Sequence, residues 1–147
     1  MKLFSELIST IEITNKTNAK IDALVQYFSK APEKDKLWLI ALFTGKRPKR
    51  PVKTSLMKTW CMELTRLPEW LFLESYSTVG DLGETLALLL PKPSHQLDLS
   101  LNEWMTELKA LKSKSDDDKT AFVLEAWSGL NQQERLIFNK LIGGSFR

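Results

Sequence analysis

Apolar residues recur at helical spacing along nearly the whole chain, and this pattern sets the reading of everything else. Leu3, Phe4, Leu7, Ile8 and Ile11 form a first short stripe at i, i+3, i+4 and i+7. Ile21, Leu24, Val25 and Phe28 form a second, with Thr17 or Asn18 placed to cap its start. Pro32 then stands where a first helical residue belongs, with Glu33 and Asp35 favourable in the opening turn. That third helix runs through Leu37, Trp38, Ile40, Ala41 and Leu42 to Gly45, a residue suited to a left-handed stop.

Gly45 to Lys53 breaks the pattern, because Pro48 and Pro51 lack backbone donors and hold Arg47 and Arg50 extended. Helical spacing resumes at Thr54, with Leu56, Met57, Trp60, Cys61 and Leu64 on one side. Pro68 opens a fifth helix containing Trp70, Leu71, Phe72 and Tyr76, and Gly80 ends it. Asp81 caps an apolar segment from Leu82 to Leu90, which Pro91 terminates.

After a polar connection from Pro91 to Leu99, three start signals follow. Ser100 with Glu103 makes a capping box ahead of Leu101, Trp104, Met105, Leu108 and Leu111. Ser115 with Asp118 opens a helix through Phe122, Leu124 and Trp127 to Gly129. Asn131 with Glu134 starts the last, carrying Leu136, Ile137, Phe138, Leu141 and Ile142 before Gly143 and Gly144. Strand alternation of useful length is missing, so the expected fold is all-α, a compact multi-helix bundle of roughly eight or nine short helices. One domain over residues 1–147 is expected, with front helices in 1–90 and rear helices in 100–142.

Composition sharpens this picture at one place. The chain carries a net charge of +3. Between Thr44 and Arg66, however, seven cations (Lys46, Arg47, Lys49, Arg50, Lys53, Lys58 and Arg66) stand against one acid, Glu63. The rest of the chain is therefore acidic overall, and the local excess marks a place where an anion docks. No run of about 18 apolar residues is present to span a membrane, and the N-terminus lacks the pattern of a secretory signal. The single cysteine excludes an internal disulfide. A cytoplasmic location, no membrane partner and a monomer are expected.

Candidate chemistry is sparse. His95 lies in the polar connection, Cys61 sits on an apolar helical face, and Asp116, Asp117 and Asp118 complement the positive end of a helix. No phosphate loop of the Walker type occurs. No catalytic residue and no metal ligand is assigned. Three elements suit a phosphate backbone instead. The first is the proline-stiffened loop with Lys46, Arg47, Lys49, Arg50 and Lys53, where each cation near a phosphate releases counterions. Next is the turn with Gly80 and Gly83, where small residues at a helix start allow close backbone approach, although Asp81 competes for the same donors. The third is the end of the chain, with Gly143, Gly144, Ser145 and Arg147. A helical protein-interaction scaffold, its basic loop merely solubilising, explains the same composition.

The order of these elements resembles the N-terminal DNA-binding domain of ATP-dependent DNA ligases, closest to the shorter bacterial enzymes. The resemblance rests on Lys16-Thr-Asn-Ala-Lys20, Lys36-Leu-Trp-Leu-Ile-Ala-Leu-Phe43, Gly45-Lys-Arg-Pro-Lys-Arg-Pro51, Trp70-Leu-Phe72 with Glu74-Ser-Tyr76, Val79-Gly-Asp-Leu-Gly-Glu84 and Asn139-Lys-Leu-Ile-Gly-Gly-Ser-Phe-Arg147. It implies a non-catalytic domain that lies against the minor groove of nicked double-stranded DNA, without regard to sequence. Partners implied are that DNA and the ligase's own adenylation and OB-fold domains. The resemblance also implies a DNA-joining enzyme whose lysine lies in a Lys-x-Asp-Gly motif. That motif does not occur in these 147 residues. No cofactor is expected in this domain; ATP and magnesium would serve the full-length ligase.

Overall fold

The computed structural model describes residues 2–44 and 51–143. Their regular structure is helical, with no strand among them. The helices are α1 (Lys2–Ile13), α2 (Thr17–Lys30), α3 (Glu33–Phe43), α4 (Thr54–Thr65), α5 (Glu69–Val79), α6 (Leu82–Leu89), α7 (Leu101–Leu111), α8 (Asp116–Gly129) and α9 (Gln132–Gly143). The all-α expectation of eight or nine short helices holds. Gly45, the expected stop of α3, lies outside the described residues.

Helix starts follow local chemistry closely. The Asp81 carboxylate accepts the Glu84 N–H at 2.8 Å, and the Ser115 hydroxyl accepts the Asp118 N–H at 3.2 Å. At Ser100 and Glu103 the exchange runs both ways, each side chain bonding the other's backbone N–H at 3.2 Å. Asn131 and Glu134 repeat that reciprocal box at 2.8 and 3.3 Å. Such pairs satisfy amide donors that have no partner within the helix. Pro32 and Pro68 stand one residue earlier than expected, as caps with ψ of 153°, their carbonyls already accepting the first helical bonds. α2 differs in its start, since Lys16 occupies the cap with no side-chain bond. α4 ends on Arg66, whose φ of 57° places a non-glycine residue in the left-handed region, a stop that residue type does not announce.

The chain forms two compact units, and the division falls inside α7. Among the described residues, one is built from 2–44 with Asp98–Glu107, the other from 51–97 with 108–143.

In the first unit α1 packs on α2, with the Phe4 and Tyr27 rings edge to face at 6.3 Å. The face that α2 buries is only partly the expected one: Leu24 and Phe28 are half-buried, but Ile21 and Val25 are exposed, Val25 by 60%, while Tyr27 is buried. Ala19, Ala23 and Tyr27 line the groove beside Leu3 and Leu7 of α1, and the larger apolar Ile21 and Val25 face outward. Leu37 and Ile40 of α3 are likewise exposed; Leu42 is buried as expected, joined by Leu39, which the pattern did not single out. The buried Asp35 carboxylate accepts the N–H groups of Leu101 and Asn102 at 3.3 and 2.7 Å. Trp38 adds a bond from its indole N–H to Asn102 Oδ1 at 3.0 Å. α3 thereby caps the start of α7 with a side chain more than 60 residues away in sequence.

In the second unit the short α6 packs on α4, α5 and α9. Met57, Trp60, Cys61, Phe72, Leu86, Val123, Trp127, Ile137, Phe138 and Ile142 are buried there. Leu56 and Leu64, expected on the inner side of α4, are exposed, as is Trp70 of α5 at 67%. The Pro91–Leu99 connection is held down more firmly than its composition suggests. Ser94 and His95 donate backbone N–H groups to the Ser128 carbonyl, and Leu97 donates to the Gly129 carbonyl at 2.7 Å. Leu97 lies directly over Gly129, so a β-carbon there would stand 2.3 Å from Leu97 Cγ. Gly129 is needed for close packing, since Leu130 rather than a left-handed residue caps α8.

Gly129→Ala is expected to lower unfolding free energy by about 1–3 kcal/mol, as overpacked sites do, because backbone bonds fix Leu97 at the collision. Urea titration measures this, and adding Leu97→Ala should recover part of the loss. An unchanged midpoint in Gly129→Ala would show that the connection does not press on α8.

Candidate nucleic-acid interface

Of the residues assigned to a phosphate-binding surface, Lys46, Arg47, Lys49, Arg50, Gly144, Ser145 and Arg147 lie outside the described residues. The remaining four are Lys53, Gly80, Gly83 and Gly143. Lys53 is exposed at the cap of α4, directly after the buried Pro51 and Val52. The first turn of α4 holds no acidic side chain, and no side-chain bond occupies its cap.

Gly80 ends α5 with φ of 84°, in the left-handed region that glycine adopts without strain, and its N–H bonds the Tyr76 carbonyl at 2.8 Å. It is exposed, and a β-carbon at Gly80 would meet nothing within 4 Å. Conformation, rather than space, requires glycine there. Gly83 is different: it is buried, and a β-carbon would lie 3.4 Å from Asn139 Cβ and 3.6 Å from Lys140 Cγ. The turn that Gly80 begins is thus seated on α9 through Gly83.

This contact unites two elements that are far apart in sequence. Lys140 and Asn139 sit one turn before Gly143, so the Gly80–Gly83 turn lies beside the last turn of α9. Lys140 is a cation at this place that periodicity did not single out, although it stands in the closing segment that carries the resemblance. The negative Asp81 side chain turns inward on the Glu84 N–H. The first intrahelical bond of α6 runs from the Thr85 N–H to the Asp81 carbonyl, so the N–H groups of Leu82 and Gly83 have no acceptor within the helix.

Not every cation of the basic stretch is directed to solvent. Lys58 Nζ lies 3.7 Å from Glu69 Oε1 and 5.8 Å from the centre of the Phe72 ring, joining α4 to α5. His95, an exposed residue of the connection as expected, pairs through Nε2 with Glu125 at 2.9 Å.

Cys61 is wholly buried. Burial pushes its thiol up to about 11, and the nearby Arg135 guanidinium offsets this only in part. A neutral thiol without solvent access is a poor nucleophile. Burial also lowers the pKa of Arg135, while Tyr27 is raised by burial and then by the charge of Asp35. Among the described residues no group of three His, Cys, Asp or Glu side chains is placed to hold a metal ion, and no helix is long and apolar enough to cross a membrane.

The fold and this surface define an all-helical domain with a glycine turn set against a basic helix end. The family model described as DNA ligase N terminus matches residues 1–147, and the chain belongs to that family. Membership gives it a role in a DNA ligase. No curated protein matches the chain.

The raised pKa of Cys61 has a sign that stability measurements will read. The unfolded chain releases this proton first, near the ordinary 9.0, so stability is full below that pH and declines as pH rises towards 11. Urea titrations from pH 8 to 11 should show a loss that Cys61→Ala reduces by an amount on the order of 2 kcal/mol, the raised Tyr27 contributing to what remains above pH 10. At pH 8 a thiol reagent should label the folded chain no faster than it unfolds.

Proposed function

We propose that this chain holds nicked double-stranded DNA for an ATP-dependent DNA ligase, without reading its sequence. The contacts run to phosphate and sugar along the minor groove. They fall on three elements: the basic loop with Lys46, Arg47, Lys49, Arg50 and Lys53, the Gly80–Gly83 turn, and the stretch of Gly143, Gly144, Ser145 and Arg147. Backbone contacts carry no base identity and the minor-groove pattern is degenerate, so binding depends on shape and charge. A nicked duplex bends more readily than an intact one and is favoured for that reason.

The observation that carries this reading is the seating of Gly83 on Asn139 and Lys140, which sets the turn beside the end of α9. Within family membership, that juxtaposition supports assigning the turn and the segment that begins at Gly143 to one surface. Gly80 supplies the exposed side of the turn, and Gly83 supplies its attachment. The domain itself does no chemistry. Joining belongs to the adenylation and OB-fold domains of the ligase, with ATP and magnesium, and the chain acts as a single monomeric cytoplasmic module beside them.

A second reading, a helical scaffold that docks another protein, is favoured by one feature. Leu71, Thr78, Leu88 and Leu89 line an apolar groove between α5 and α6, with Leu88 exposed.

Fluorescence anisotropy with a nicked oligonucleotide duplex separates the two. Micromolar or weaker binding is expected at physiological salt, falling steeply as salt rises. Replacing Lys46, Arg47, Lys49 and Arg50 together by Ala should remove most of it, with helicity by circular dichroism unchanged. Equal affinity in that variant would defeat the assignment of the loop. Absence of DNA binding even at low salt, with salt-resistant capture of a protein partner, would favour the scaffold.

A further inference from the structure

A chain of buried hydrogen bonds fixes the Gly80–Gly83 turn from behind. The Trp127 indole N–H donates to Asn139 Oδ1 at 2.8 Å. Asn139 Nδ2 in turn donates to the Gly83 carbonyl at 3.0 Å. Arg135 Nε donates to the Trp127 carbonyl at 2.8 Å, tying the end of α8 to α9. All three side chains are buried, Asn139 to 2% exposure.

The chemistry of this chain is directional. An indole nitrogen donates and never accepts, so the Asn139 oxygen must face Trp127. Its NH2 group is thereby turned towards α6, where the Gly83 carbonyl receives it. Trp127 selects the amide orientation, and the amide anchors the first turn of α6 to α9. We infer that Asn139, oriented by Trp127, is a positioning residue for the DNA-facing Gly80–Gly83 turn, an inference that rests on the function proposed above. Asn139 itself touches no DNA in this arrangement. It acts through the backbone of Gly83, and its loss displaces the turn while leaving the basic loop able to bind.

Asn139→Asp tests this with little change in volume. The carboxylate still accepts from Trp127, but it sets an oxygen against the Gly83 carbonyl in place of a donor. Trp127→Phe is the companion variant, keeping an aromatic ring in the core while freeing the amide to turn. The readout is the backbone amide NMR spectrum of each folded protein during titration with a nicked duplex, together with affinity by anisotropy.

In the unaltered chain the Gly80, Asp81 and Leu82 amides should shift on adding DNA, as should that of Lys53. In Asn139→Asp the turn amides should cease to respond while Lys53 still shifts, with affinity lower by roughly tenfold, the scale of one hydrogen bond to a buried group. Trp127→Phe should show the same pattern more weakly, and it carries the test if Asn139→Asp does not fold. A merely structural role would lower stability and leave the turn's response to DNA intact in the folded protein. That result, in either folded variant, would overturn the inference alone. Turn amides silent in the unaltered chain while Lys53 shifts would overturn it through the placement of DNA. No response anywhere would overturn the proposed function as well.

Discussion

The second unit depends on one buried amide meeting three helices at once. Asn139 sits on α9, accepts from Trp127 on α8 and donates to the first turn of α6. A buried polar group left without partners costs more than a made bond returns, so this arrangement tolerates few alternatives. Apolar contacts such as the tilted pair of Phe122 and Phe138, 6.2 Å apart, would hold α8 and α9 together over a range of angles. The amide narrows that range. The exposed turn inherits its place from an interior that fits one way.

The first unit uses the same device with a different group. Asp35 carries a carboxylate to the start of α7 and accepts two backbone donors there, while Trp38 bonds the Asn102 side chain one step on. In both units a polar side chain from a distant helix meets a helix start and an indole completes the set. Hydrophobic burial brings helices together, and these directional bonds decide their register. α3, so fixed, ends directly before the cation-rich segment.

Sequence revealed the helices because their signals are local. Asp81, Ser100, Ser115 and Asn131 act on amides three residues away, so type and spacing suffice to identify them. Gly80 was legible for the same reason, as a glycine between two helical patterns. The buried faces were less legible. In α2 size misled, because the small Ala19 and Ala23 line the groove against α1 and the larger Ile21 and Val25 remain outside. Asn139 escaped notice because a polar residue in mid-helix has no periodic signature, and its partners lie 12 and 56 residues away. The charge excess of the basic loop stands out in composition, yet the joining of the turn to the end of α9 needs the tertiary fold.

The Pro91–Leu99 connection carries a consequence for anyone wishing to alter this chain. Three backbone bonds to Ser128 and Gly129, with Leu97 lodged over a missing side chain, make it a strap of fixed length. An added or deleted residue before Leu97 would bring Gln96 or Asp98 over Gly129 and break the match. A fluorescent label or an inserted epitope belongs instead at the open turn near Lys112, Ser113 and Lys114, where the side chains stand in solvent. What looks like spare cord between two helical groups is a cut-to-measure clasp.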